Sequence, residues 1–301
     1  QDIYPINFDN DPEGIYHETL RVLKLWIAHG VRIFRVDNPH TKPVQFWAWL
    51  MRQVRATDPD VLFLAEAFTK PAMMGALGKV GFHQSYTYFT WRNAKWELEE
   101  YLTELSTKTD PFYRPNFFVN TPDINPFFLQ SGNPAAFSIR AILAATLSPT
   151  WGVYSGFELF EHEALAPGKE EYLNSEKFEY RPRDYQREPN LNVLLGKLNQ
   201  VRRDHPALQQ LRQLQFQHAP HDNVIAFAKR DGDDAVIVIC SLDPNQVVET
   251  DIYLDLDWLG VPGDSVQLHD ELTGATFTWG ERNFVRLSPA NPAHILHVRG
   301  H

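Results

Sequence analysis

Apolar residues follow two different rhythms along this 301-residue chain. Through the first two thirds, short runs recur at Val31–Val36, Val61–Ala65, Phe82–Phe89, Asn116–Val119 and Trp151–Tyr154. Each reads as a strand. Helical patterns lie between them. Asp11-Pro12-Glu13 is a helix start, the stripe Tyr16, Leu20, Leu23, Ile27 has the 3.6-residue period, and Gly30 is a stop. A second helix opens at Thr41-Lys42-Pro43, carries Phe46, Trp47, Leu50 and Val54, and ends at Asp58-Pro59-Asp60. Ala135–Leu147 and Leu191–Arg203 read as two more, stopped before Pro149 and at His205-Pro206. Strand and helix alternating every ~30 residues is the βαβ rhythm of a parallel sheet. It fits a doubly wound sheet or a (β/α)8 barrel, and five units are too few for a whole barrel, which needs eight.

The rhythm changes near residue 209. Val224–Lys229, Asp231-Gly232 and Ala235–Leu242 spell a β-hairpin. Short strands continue at Val247–Leu256, Ser265–His269, Ala275–Trp279, Asn283–Leu287 and Ala293–Val298. The expected fold is therefore α/β over residues 1–208, followed by an all-β antiparallel sandwich over residues 209–301. Glu161–Pro189 is long, charged and poorly patterned, and loops of that length within a compact domain are usually functional.

Composition narrows the choices. Eight Trp, 20 Phe and 11 Tyr exclude a disordered chain. Twenty-eight basic against 38 acidic residues give a net charge of −10, which argues against a nucleic-acid partner. Cys240 is the only cysteine, so a cysteine zinc cluster and an internal disulfide are both excluded. No apolar run reaches membrane-spanning length, and residues 1–20 have no signal-peptide pattern. The chain opens with Gln and is read as a piece of a longer protein. The 12 His are scattered without a ligand spacing, and no metal or other cofactor is expected.

Three acids stand where strand-like runs finish: Asp37, Glu66, and, after a short turn, Asp123. Strand C-terminal ends carry the site in parallel α/β folds. Each acid alone has a bland reading as a helix N-cap, although Glu is a poor cap residue. Together they suit glycosyl transfer, in which a retaining enzyme pairs an ionised carboxylate with a protonated carboxylic acid about 5–5.5 Å apart. Arg35 lies two residues before Asp37 and so points to the same side of the strand. There it would hold Asp37 ionised or form an ordinary buried ion pair. Aromatic residues near these runs (Phe34, Phe68, Tyr86, Tyr88, Phe89, Trp91, Phe127, Phe128) read mainly as core.

At these residues the sequence resembles the α-amylase superfamily, glycoside hydrolase family 13. Gly30-Val31-Arg32-Ile33-Phe34-Arg35-Val36-Asp37 is similar to that family's strand-four motif. Phe63-Leu64-Ala65-Glu66 is similar to the strand-five motif, and Phe118-Val119-Asn120-Thr121-Pro122-Asp123 to the strand-seven motif. Leu198–Leu208 looks like the last barrel helix, and the all-β tail like the C-terminal domain. The resemblance implies strands four to eight of a (β/α)8 TIM barrel, with strands one to three upstream. Two departures stand out: Pro122 replaces the usual His, and Asp37-Asn38-Pro39-His40-Thr41-Lys42-Pro43 lacks the usual His four residues after the nucleophile. With Ala65-Glu66-Ala67-Phe68-Thr69-Lys70-Pro71, Gln1-Asp2-Ile3-Tyr4-Pro5 and Tyr172-Leu173-Asn174-Ser175-Glu176-Lys177, they look like the α-1,4-glucan:maltose-1-phosphate maltosyltransferase subfamily.

That resemblance implies retaining transfer of maltose from α-maltose 1-phosphate to the non-reducing end of an α-1,4-glucan, with release of phosphate. The alternative is an α-amylase-type hydrolase or transglycosidase. Asp37 is the implied nucleophile, Glu66 the acid/base and Asp123 the transition-state stabiliser. Arg35, Asn38, Asn120 and Lys177 are the implied substrate-binding residues. Without the resemblance, Lys177 reads as a solvated lysine in a charged loop. A homodimer formed through upstream regions, a cytoplasmic location, and no nucleic-acid or membrane partner complete the expectation.

Overall fold

The computed structural model describes residues 4–176 and 180–299. It divides into two compact units, Gln1–Thr87 with Thr109–Pro115, and Tyr88–Lys108 with Asn116–His301.

The first unit is built of strand–helix repeats. Helix α1 (Pro12–Ala28) starts at Asp11, whose carboxylate accepts the Gly14 N–H. Strand β1 (Ile33–Asp37), helix α2 (Val44–Arg55), strand β2 (Leu62–Glu66), helix α3 (Pro71–Val80) and strand β3 (Gln84–Tyr86) follow. β1 pairs parallel with β2, and β2 with β3. The apolar face of α2, with Phe46, Trp47, Leu50 and Val54, packs with Val61, Phe63 and Ala65 into one core. The α1 stripe joins that core through Tyr16, Leu20, Leu23 and Ile27, as its period predicts.

The chain leaves the first unit differently from its sequence pattern. The run Phe82–Phe89 reads as one strand, yet only Gln84–Tyr86 is extended, and Tyr88–Trp91 coils into a 3-10 turn. Burial decides this: Phe89 stacks on Phe117, with centroids 4.4 Å apart and planes at 12°. Helix α4 (Lys95–Glu104) carries only a short apolar stripe set among charges. Its start is held by Glu97, which accepts the N–H groups of Asn93 and Ala94 at 3.0 Å each. Strand β4 (Pro115–Phe118), helix α5 (Pro134–Leu147), strand β5 (Thr150–Gly152) and helix α6 (Asn192–Asp204) follow, with β4 and β5 parallel.

From β6 (Leu214–Phe216) onward every pairing is antiparallel. The strands are β7 (Val224–Asp231), β8 (Asp234–Ser241), β9 (Val248–Tyr253), β10 (Val266–Asp270), β11 (Thr276–Trp279), β12 (Arg282–Leu287) and β13 (Ala293–Val298), with a one-turn helix α7 (Leu256–Leu259) after β9. A six-stranded sheet in the order β11-β10-β13-β8-β7-β6 faces the pair β12-β9 across a shared apolar core, which makes a sandwich. Alternate residues of β8 point to opposite faces. Ile237 and Ile239 enter the sandwich core, while the other face packs on α5, so the strand is buried on both sides.

Two helical glycines separate propensity from packing. A Cβ at Gly78 would lie 2.6 Å from the Phe112 carbonyl oxygen, whereas at Gly196 nothing lies within 4 Å. Gly196→Ala is expected to stabilise the protein by about 1 kcal/mol, the usual helix-propensity gain. Gly78→Ala is expected to destabilise it by about 1–3 kcal/mol, because backbone must move. Urea unfolding of the two variants checks both signs.

Candidate active site

Two strand ends define the candidate site in the first unit. In the parallel ladder of β1 and β2, Asp37 stands opposite Glu66. Neighbouring strands lie about 4.8 Å apart, so the two carboxyl groups leave adjacent strand ends side by side. Arg35 projects from the same face as Asp37. Its guanidinium sits 4.0 Å from Asp37 Oδ1 and 3.6 Å from Glu66 Oε1. The arginine expected to serve Asp37 therefore serves Glu66 at least as closely. The guanidinium carbon also lies 5.7 Å from the ring centroid of Tyr86, which ends β3.

Asn38 locks the corner. It turns into the left-handed region with φ 45° and ψ 52°, a conformation that Asn tolerates better than most residues. The turn aims its N–H at the Glu66 backbone carbonyl (3.0 Å) and at Glu66 Oε2 (3.3 Å). Its side-chain amide donates to Asp37 Oδ1 at 2.9 Å. The next turn, Pro39–Thr41, is pinned to α2 by the Trp47 indole N–H, which donates to the Pro39 carbonyl at 2.8 Å.

The two acids occupy unlike surroundings. The Asp37 side chain is 71% exposed and that of Glu66 only 8%. Burial, reinforced by a hydrogen bond with Asp37, raises the Glu66 carboxyl to about 7, against the smaller opposing pull of Arg35 and the Asn38 N–H. Two carboxylates share a hydrogen bond only if one keeps a proton, and the buried Glu66 keeps it. Burial thus sets the Glu66 carboxyl well above the usual carboxylate range, as a proton donor in paired-carboxyl chemistry requires.

None of the three strand-end acids caps a helix. After Asp37 the caps are Asn38 and Pro43, after Glu66 the cap is Lys70, and after Asp123 they are Pro126 and Asn133.

In the second unit Asp123 sits in a tight turn closed by the Thr121–Ile124 bridge, with its N–H donating to Thr121 Oγ1 at 3.2 Å. Asn120 is buried. Its amide nitrogen donates to Tyr172 Oη (2.8 Å) and to the Tyr154 carbonyl (3.4 Å), and its oxygen accepts the Tyr154 N–H (2.8 Å). Tyr154 in turn donates to Glu176 Oε2. Arg183, with its side chain 4% exposed, binds Glu176 at 2.8 Å and Glu161 at 3.0 Å. The unpatterned 161–189 stretch is thus cross-linked to the end of β4 through Asn120. Lys177 lies outside the described residues. Tyr86, Tyr154, Tyr172 and Arg183 escaped the sequence reading as site residues. Tyr86 was within reach of it, because it ends a strand as Asp37 and Glu66 do. Arg183 gave no local signal.

An acid with a raised folded-state pKa holds its proton more tightly when folded, so stability falls as pH rises from 4.5 through about 7. Glu66→Gln has nothing to ionise. Its stability relative to wild type should therefore improve by about 2 kcal/mol between pH 5 and pH 8, read by urea unfolding at both pH values. A difference that does not change with pH contradicts a protonated Glu66.

Comparison with known proteins adds a lineage to this geometry. The family model described as "GLGE, C-terminal" matches residues 216–298. The α-1,4-glucan:maltose-1-phosphate maltosyltransferase 2 of Streptomyces coelicolor is 57% identical over 99% of this chain and 46% of its own length. The enzymes of that name from Mycolicibacterium smegmatis and Mycobacterium tuberculosis are 53% and 51% identical, again over 99% of this chain and 44% of theirs. The chain thus spans just under half the length of these curated relatives. Among solved structures, the α-amylase of Geobacillus thermoleovorans in complex with acarbose superposes with a TM-score of 0.77 at 17% identity, covering 97% of this chain and 65% of that one. The maltogenic α-amylase AmyB of Thermotoga neapolitana gives a TM-score of 0.74 at 13% identity, over 100% of this chain and 69% of that one. The parallel strands with their helices and the following β-sandwich have the fold of the corresponding part of these α-amylase structures, and in sequence the chain is similar to the maltosyltransferases across the segment it shares with them.

Proposed function

We propose that the protein carrying this chain transfers maltosyl units from α-maltose 1-phosphate to the non-reducing ends of α-1,4-glucans, releasing phosphate with retention. Residues 1–208 contribute part of the catalytic barrel and residues 209–301 a C-terminal β domain. The observation that carries the reading is the Asp37–Glu66 pair, set opposite one another at adjacent strand ends with Arg35 beside both and Glu66 buried. Retention calls for two carboxyl groups close together, about 5–5.5 Å apart, and parallel register brings these two to adjacent strand ends. Donor and acceptor rest on the names of relatives 51–57% identical to the chain. The same names disfavour an amylase-type hydrolase.

In the first step a carboxylate oxygen of Asp37 attacks C1 of the donor. The C1–O bond to phosphate breaks, Glu66 passes its proton to the departing oxygen, and a β-maltosyl ester forms. In the second step the ionised Glu66 takes the proton of the acceptor 4-hydroxyl as that oxygen attacks C1 and the ester breaks. Two inversions leave the α configuration. Asp123 binds the hydroxyls of the distorted ring and tightens in the transition state. Arg35 and Asn38 position the two carboxyl groups, and Asn120 holds Tyr154 and Tyr172 beside the turn of Asp123. Lys177 is proposed, on the resemblance alone, to hold the second glucose of the donor.

Among the described residues no helix is long and apolar enough to cross a membrane. A cytoplasmic homodimer assembled through regions outside this chain, with no nucleic-acid or membrane partner, completes the proposal.

The decisive assay gives the full-length protein α-maltose 1-phosphate and a malto-oligosaccharide, then measures inorganic phosphate and product length. Phosphate release with acceptors growing by two glucose units is expected. Reshuffled or shortened acceptors without phosphate release would move the assignment to an amylase-type enzyme. Asp37→Ala should lose at least ~10⁴-fold in turnover, and undiminished turnover would overturn its role as nucleophile. Glu66→Ala should lose about 10²–10⁴-fold and accumulate a maltosyl-enzyme visible by mass spectrometry, because phosphate leaves fairly well unaided.

The rate of donor cleavage in wild type should fall above about pH 7, as Glu66 loses its proton. Arg35→Met removes the cation that lowers the Glu66 pKa, so this limb should move to higher pH. A limb left in place would show that another group sets it.

A further inference from the structure

Three of the scattered histidines, His205, His269 and His297, gather at one face of the six-stranded sheet. His205 follows α6, is 5% exposed, and lies against Asp234 of β8, Glu271 just after β10 and His297 of β13. Its Nδ1 bonds Asp234 Oδ1 at 2.9 Å, and its Nε2 lies 3.6 Å from Glu271 Oε1. His297 on β13 is in register with His269 on β10 and Val236 on β8. The His297 and His205 ring centroids are 4.5 Å apart. One ligand atom each from His205, Glu271 and His297 lies within 4.8 Å of the other two.

We propose that His205, Glu271 and His297 bind one divalent transition-metal ion, zinc above all, with a water in the fourth position.

The donor set suits the ion. Two imidazoles and a carboxylate are an established three-ligand zinc set with an open fourth place. Zinc ligands stand about 2.0–2.1 Å from the metal, which puts tetrahedral neighbours roughly 3.4 Å apart. The 3.6 Å between His205 Nε2 and Glu271 Oε1 is already close to that edge. His297 is the ligand that must swing inward, and its side chain is free enough to do so at 32% exposure.

The surrounding groups fit as well. Asp234 takes the Nδ1 side of His205, which presents Nε2 to the metal in the carboxylate–histidine arrangement that orients zinc ligands. The other Asp234 oxygen accepts the Ala207 N–H at 2.8 Å, which fixes its own orientation. Lys197 approaches Glu271 Oε2 at 3.8 Å and leaves Oε1 to the site. With neutral imidazoles, Glu271 and Asp234 supply two negative charges to match a divalent cation. His269 adds a further nitrogen 3.9 Å from Glu271 Oε1, and its Nδ1 is buried without a hydrogen-bond partner. The bound ion would tie the end of α6 to the end of β10 and to β13. This is a structural role, separate from the proposed chemistry at Asp37 and Glu66.

The test strips the full-length protein of metal and titrates it with Zn²⁺ by calorimetry and with Co²⁺ by visible absorption. One equivalent is expected to bind, with the intense visible bands of four-coordinate cobalt and a rise in melting temperature that a chelator reverses. His297→Gln and Glu271→Gln should each weaken binding at least ~100-fold, and Asp234→Asn by about 10–100-fold as an outer partner. The exposed His29→Gln should bind as wild type does. Metal-free melting curves of the variants establish that they fold. No stoichiometric uptake, or uptake that survives both His297→Gln and Glu271→Gln, would overturn the site and leave the cluster an ion-pair network.

Discussion

The register between β1 and β2 is the constraint on which the candidate site depends. Parallel pairing sets Asp37 directly opposite Glu66, and side chains alternate along a strand with period two. A slip of one residue would turn Glu66 away from both Asp37 and Arg35. The register is held from two directions. Phe63 and Ala65 of β2 must face the core shared with α2, and the left-handed Asn38 bonds the Glu66 backbone as well as its carboxylate. The same packing that buries β2 takes Glu66 out of water and keeps its proton near neutral pH. Fold stability and site chemistry thus rest on the same few contacts.

In the second unit, burial on both faces of one sheet plays the comparable part. β8 lines the sandwich core on one side and meets α5 on the other. The layer between sheet and helices has little water, so polar groups there must find partners. Arg140 donates to the carbonyls of Phe89 and Arg92, Lys229 to that of Gln210, and Asp234 and Glu271 surround His205. A cluster of imidazoles and carboxylates in that layer is held firmly enough to present a ligand set.

Much of this was legible along the chain. All five strand-like runs of the first two thirds contain strands, and the hairpin around Asp231-Gly232 forms as read, with Asp231 paired to Asp234. Each of those features is a local pattern with a single period. The failures are also physical. Helix α4 does space Leu98, Tyr101 and Leu102 at helical intervals, but the stripe is short and set among charges, while α3 is apolar without a clear face. The aromatic run Phe82–Phe89 looks extended, yet stacking of Phe89 on Phe117 curls its end. The three acids stood out because strand ends can be read from sequence. That the N-cap positions after these strands are taken by other residues, which weakens the bland alternative, could be seen only in three dimensions.

By itself, the sequence determined the alternation of strands and helices, the switch to antiparallel β structure near residue 209, and three acids at strand ends. These follow from side-chain periodicity and turn chemistry, which act over a few neighbouring residues. Tertiary structure decided which acid keeps the proton, that Arg35 serves both carboxyl groups, that Asn120 is committed to two tyrosines, and that His205, Glu271 and His297 converge. Each of these depends on residues far apart in the chain meeting where water is excluded, and a proton's affinity or a metal's ligand set is a property of that shared environment.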